Sequence, residues 1–247
     1  MHIPGTITKA YSDELFGVIN GPDELPQAVK ENPKWAMRFI ASNLAVTKEI
    51  DDVEREIRSI LERLGVSGHA FIVKAYSIEE LVLGVKHYLV AWSTMKDLMS
   101  NLINSSFDLG IHEKDLGFGM ILRNEKVKIT DIPAICKEHA KKVDVPYTDK
   151  QRNDAVHRGR LLDDEINKFR SRYNEVFAER YNLLNPNPIS DEELKEKLKA
   201  LNTELPALAK SKQEEYARHF ELTMELNKDL AVALARVSVK HLNNVRI

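Results

Sequence analysis

With 247 residues, 43% of them hydrophobic and 30% charged, the chain is long enough to bury an apolar core and too hydrophobic to belong with disordered segments. A formal charge of −2 gives no global sign of a nucleic-acid or membrane partner. Ten glycines and nine prolines are few for this length, which favours long helices over many strands and turns.

The single cysteine, Cys136, has no intrachain disulfide partner and fits a reducing compartment. The start Met1-His-Ile-Pro-Gly-Thr6 lacks the basic residues and apolar run of a secretion signal. No window approaches the 18 or so consecutive apolar residues that a membrane-spanning helix needs. The expectation is a soluble cytoplasmic protein with no membrane contact.

In chain order, residues 1–31 mix prolines and glycines with few periodic apolar positions and read as an irregular N-terminal arm. Asn32 is a suitable N-cap and Pro33 suits a first helical position, where its missing N–H is no loss. Val46, Ile50, Val53, Ile57, Ile60, Leu61 and Leu64 then recur at three- and four-residue steps, as on a helix with one buried face, and Gly65 ends it. Ser77-Ile-Glu-Glu80 has the form of a capping box opening a second long helix to about Ser105. Gly110, Gly117 and Gly119 break the chain again, and Met120–Ile129 reads as a small hairpin turning at Arg123–Lys126.

A short helix is expected from about Ile132 to Val143. Thr148-Asp-Lys-Gln151 is a further capping box, opening a helix to about Leu184 with Leu162, Ile166, Phe169, Tyr173, Val176, Phe177 and Leu184 inward. Asn185-Pro-Asn-Pro188 breaks it, and Ser190-Asp-Glu-Glu193 caps the next helix. There Pro206 is expected to kink or divide the chain into two helices, about 190–208 and 212–243, which form an antiparallel hairpin packed on the bundle or in a dimer interface.

The chain carries no Walker A sequence, no His-Glu-x-x-His and no CxxC, and no cofactor or metal site is expected. Gly117-Phe-Gly119 reads as a loop glycine pair, and His112, Glu113 and Asp115 as a solvated loop surface. The remaining candidate is Arg152-Asn-Asp-Ala-Val-His157. RNA can be cut when a base takes the 2′-OH proton and a cation steadies the charge growing on the phosphate. Histidine titrates near neutrality, and an arginine fork matches phosphate oxygens. Around the hexad Lys137, Lys141, Lys142, Lys150, Arg158 and Arg160 outnumber Glu138, Asp144, Asp149 and Asp154, so the neighbourhood is basic.

The spacing alone is common. Arg63–His69 and Arg236–His241 also fit Arg-x(4–6)-His, and roughly one match is expected by composition. Context sets the first apart, with a capping box before it, a polar Asn153 directly after the arginine, and Val156-His157-Arg158-Gly159 closing it. Here the sequence resembles the HEPN superfamily, the "higher eukaryotes and prokaryotes nucleotide-binding" helical domains, whose hallmark is Arg-polar-x-x-x-His near the start of the last helix of a bundle.

The resemblance covers about residues 33–184. It implies an all-α, up-and-down HEPN-type bundle over 32–184, with 190–247 as an added C-terminal helical hairpin. It implies a metal-independent endoribonuclease, of toxin or antiviral-defence kind, in which Arg152 contacts the scissile phosphate, His157 is general acid or base, and Asn153 orients one of them. RNA would be the substrate, with Lys150, Arg158, Arg160, Lys141 and Lys142 on its backbone and an antidote or regulatory protein as possible partner. Residues five apart on a helix differ by about 140° around its axis, so Arg152 and His157 do not share a face. The family commonly answers this with a two-fold dimer, so a homodimer is expected. The alternative is a non-catalytic interaction protein whose bundle binds a protein or nucleotide; there Arg152 is a solvated helix-start cation and His157 a packing residue.

Overall fold

The computed structural model describes residues 5–19, 25–66, 77–144, 163–182 and 184–244. These form an all-α helical bundle, and none of the described residues is in a β-strand. The helices are α1 (Thr6–Ile19), α2 (Gln27–Glu31), α3 (Pro33–Val66), α4 (Ile78–Ser106), α5 (Phe118–Ile121), α6 (Glu125–Lys128), α7 (Ile132–His139), α8 (Asp164–Tyr181) and α9 (Asp191–Asn244). None of the described helices is long and apolar enough to cross a membrane.

Three helix starts obey their local signals. Asn32 Oδ1 accepts from the Trp35 N–H at 3.2 Å and opens α3. The Thr148–Gln151 box lies outside the described residues, and the other two close reciprocally: Ser77 N–H donates to Glu80 at 2.9 Å and Glu80 N–H to Ser77 Oγ at 3.2 Å. The Ser190–Glu193 pair does the same at 2.8 and 3.1 Å. Each satisfies amides that have no intrahelical partner.

Four expectations are corrected. The arm 1–31 is not irregular over its described residues: it carries α1, with Ile7, Tyr11 and Leu15 fully buried, and α2. Met120–Ile129 is not a hairpin but the short helices α5 and α6, because Asn124 caps the second by accepting from Lys126 N–H at 3.0 Å. The helix expected from Thr148 to Leu184 does not run through Asp163. There the backbone is extended, and the side chain accepts from Glu165 and Ile166 N–H at 3.1 and 3.0 Å as the N-cap of α8.

The fourth concerns the C-terminal helical hairpin, which is replaced by one 54-residue helix with Pro206 inside it. An interior proline costs about 3 kcal/mol. Leu201, Leu205, Ala209, Tyr216 and Phe220 are all buried on one continuous stripe across that point, and Ala207-Leu-Ala-Lys-Ser-Lys212 contains no second breaker. Burial of the stripe on both sides outweighs the missing hydrogen bond.

The helices gather into two compact units, Met1–Glu56 with Ala91–Pro146 and His219–Ile247, and Ile57–Val90 with Tyr147–Arg218. In the first unit Tyr11, Ile50, Met95, Met99, Leu102, Ile103, Phe220 and Leu234 build the core. In the second, Ile57, Ile60, Leu61 and Leu64 of α3 join Leu81, Val85 and Tyr88 of α4 and Leu201, Leu205 and Tyr216 of α9 as buried residues. The Tyr88 and Tyr216 rings meet at 4.8 Å. A helical hairpin does exist in this unit, between α8 and the first half of α9. Arg172 holds Glu204 through two bonds of 2.6 and 2.9 Å, Arg180 holds Asp191 at 2.8 Å, and Lys197 pairs with Glu179.

Candidate functional site

Arg152, Asn153 and His157, with Lys150, Arg158 and Arg160, lie outside the described residues. Of the expected basic neighbourhood Lys137, Lys141 and Lys142 are described, with Glu138 and Asp144; Asp163, where the described chain resumes, lies outside that neighbourhood.

Lys141 and Lys142 are exposed on a π-helical turn, Ala140–Asp144, that extends α7. Lys142 bonds Glu138 at 2.6 Å, and this contact raises its pKa, with smaller contributions from Glu225 and Asp229. The lysine therefore faces carboxylates, and an incoming phosphate would compete with Glu138 for it. Behind the turn, α9 presents His219, Thr223 and Asn227 at four-residue steps, all buried. His219 Nε2–H donates to the Val143 carbonyl at 3.2 Å, which fixes that ring's tautomer. Asn227 Oδ1 lies 3.0 Å from His139 Nε2, and the Trp92 indole N–H donates to Thr223 at 3.3 Å. A π turn widens the helix and spoils its regular hydrogen bonding; this polar strip supplies a side-chain partner to one of its carbonyls.

In the second unit, the residue that ends the undescribed stretch 145–162 is firmly held. One Asp163 oxygen caps α8; the other accepts from Lys212 Nζ at 2.9 Å and from the Tyr216 hydroxyl at 3.3 Å. Lys212 is 4% exposed and also meets Glu165 at 2.7 Å and Glu215 at 2.9 Å. Burial alone would lower its pKa, but the three carboxylates win and raise it above the ordinary lysine range. These contacts favour the charged form of Lys212 and hold it against the N-cap of α8.

Sequence reading passed over this node, although a signal was present. Leu205, Ala209, Lys212 and Tyr216 lie along one helical stripe, which places the lysine inward among apolar residues. It also placed too much of α8 inside. Ile166 and Phe169 are buried, but Tyr173 and Val176 are only partly covered, and Phe177 and Leu184 are 43% and 89% exposed. Leu162 lies outside the described residues. Among the described residues no three His, Cys, Asp or Glu side chains converge as metal ligands would.

No family model, no curated protein and no solved structure matches this chain.

Proposed function

We propose that the chain is a metal-independent endoribonuclease of HEPN type, working in the cytoplasm as a homodimer, in a toxin or defence setting with an antidote or regulatory protein. The observation that carries this reading is the hexad Arg152-Asn-Asp-Ala-Val-His157 in a locally basic stretch. The all-α bundle is compatible with it. In this mechanism His157 takes the 2′-OH proton or delivers one to the departing 5′ oxygen, while the Arg152 guanidinium meets the charge that develops on the phosphate. Asn153 orients one of the pair, and Lys141, Lys142, Lys150, Arg158 and Arg160 supply backbone contacts whose strength falls with salt.

Attack by the 2′-OH leaves a characteristic product: a 2′,3′-cyclic phosphate upstream and a free 5′-OH downstream. End analysis of cleaved RNA tests the chemistry. Cleavage leaving 5′-phosphate and 3′-OH ends contradicts it.

A second reading, a non-catalytic interaction protein, has its own observation. On α8 the stacked Phe177 and Tyr181, with Leu184 beyond, expose 43%, 64% and 89% of their surfaces. The Arg180 guanidinium lies over the Tyr181 ring at 6.0 Å, and exposed aromatic residues beside an arginine are the residue types enriched at binding surfaces. Loss of partner capture without loss of folding on Tyr181→Ser would favour it.

A further inference from the structure

The α1–α3 seam is polar and closed. As α1 numbers rise, their α3 partners fall: Thr6 bonds Glu54 at 3.1 Å, Ile7 and Thr8 N–H bond Asp51 at 2.8 and 3.1 Å, and Thr8 bonds Thr47 at 3.2 Å. The helices are therefore antiparallel, and one further turn brings Asn43 opposite the turn of α1 that carries Tyr11. Asn43, Thr47, Asp51 and Glu54 are each at most 6% exposed.

Along this stripe the groups are matched until Asn43. Thr47 donates to the Leu44 carbonyl at 2.9 Å as well as receiving Thr8. Tyr11 and Ser238 share a hydrogen bond of 2.7 Å. Asn43, with no exposed surface, has no hydrogen-bond partner for either Oδ1 or Nδ2 among the described residues. Ser106, which bears on the Tyr11 phenol, is also fully buried, and its Oγ makes no close hydrogen bond among the described residues.

A primary amide stripped of water without partners is among the costliest groups to bury, and native cores meet such a demand with a protein atom or an ordered water. The ligand must donate and accept at once and be small. It must also be neutral, because Asn43, Ser106, Tyr11 and Ser238 carry no formal charge at neutral pH and both Asp51 oxygens are already committed to α1. Water meets all of these conditions.

We propose that Asn43 is the anchor of an internal water site in which one long-lived water bridges its carboxamide to the hydroxyls beside Tyr11, completing the polar seam that docks α1 on α3. The test is made on the full chain labelled with ¹⁵N. The Asn43 side-chain amide is assigned as the signal pair missing from Asn43→Leu, and NOESY and ROESY spectra are recorded at the water frequency. The expected result is a cross peak of opposite sign in the two experiments, the mark of a slowly exchanging water. Relaxation dispersion of the water signal should count one fewer long-lived water in Asn43→Leu. If that variant fails to fold, amide assignment through the backbone of the wild type keeps the first measurement decisive. An Asn43 amide with no such cross peak, or an unchanged water count in a folded Asn43→Leu, overturns the proposal.

Discussion

Asp51 and Gly5 fit each other so closely that the backbone leaves room for a hydrogen but not for a methyl group. A Cβ on Gly5 would stand 2.3 Å from Asp51 Cγ. The approach lets the carboxylate reach the Ile7 and Thr8 N–H groups, so α1 is capped by a residue 44 positions away instead of by its own N-cap.

Two substitutions probe this relationship. Asp51→Ala should cost about 2 kcal/mol, since it removes two charge-assisted bonds and strands buried amides. For a chain of this size that lowers the thermal midpoint by roughly 4–8 °C. Gly5→Ala should act in the same direction, because the Asp51 side chain must yield. Calorimetry of both variants checks it; a Gly5→Ala protein as stable as wild type would show that the seam opens without penalty.

Lys212 gives a larger expectation. Lys212→Met leaves the largely covered Asp163 without its cation, and breaking such a set costs about 3–5 kcal/mol in buried settings. Glu165 and Glu215 are 63% and 41% exposed at their side chains and can turn to water, so the lower end is expected. Amide exchange in the first turn of α8 should rise more than in α3. Because the lysine's folded pKa lies above its unfolded value, its contribution is complete below about 10.5 and fades only at higher pH.

His241 supplies the pH dependence nearer neutrality. Burial lowers its pKa, with Asp108 opposing from 3.8 Å and Lys126 reinforcing, while the ring lies against Trp35 and Phe39. The folded state therefore binds this proton less readily than the unfolded state does. Its stability contribution is present above the unfolded value of 6.5 and is lost as pH falls from there toward the folded value. Wild type should lose stability on acidification through that window more steeply than His241→Leu. Parallel denaturation curves for the two across pH 5–8, a range set by histidine's ordinary titration, would contradict this.

Phe169 on α8 and Leu184 just beyond it should respond differently. Phe169, 7% exposed, is core, and Phe169→Ala should cost about 3–5 kcal/mol. Leu184→Ser, at a position 89% exposed, should stay within about 0.5 kcal/mol. Urea midpoints decide it, and a large loss at Leu184 would mean that the face is covered in solution.

The features legible in the sequence were those decided within a few residues. Asn32, Ser77 and Ser190 cap helices through partners three positions on, and the letters state that chemistry directly. α1 was hidden because its cap comes from Asp51 and its segment is framed by glycine and proline. Pro206 misled for the opposite reason: a strong local breaker is overruled by tertiary burial of Leu205, Ala209 and their neighbours. The outward turn of Phe177 and Leu184 was illegible because an apolar stripe says that a face is apolar, not that anything covers it. Of the candidate site, the hexad is legible only as chemistry; Lys212 was the readable residue left unread.

The ribonuclease reading rests on Arg152 and His157, and one experiment bears on it directly. Purified full-length protein is incubated with mixed RNA in excess EDTA, beside Arg152→Ala and His157→Ala. The expected result is cleavage by wild type that falls at least about 100-fold in each variant, on the scale of a lost acid–base group or transition-state cation, while each keeps the helical circular dichroism of the parent. Absence of cleavage by wild type, or cleavage that survives both substitutions, would contradict the account.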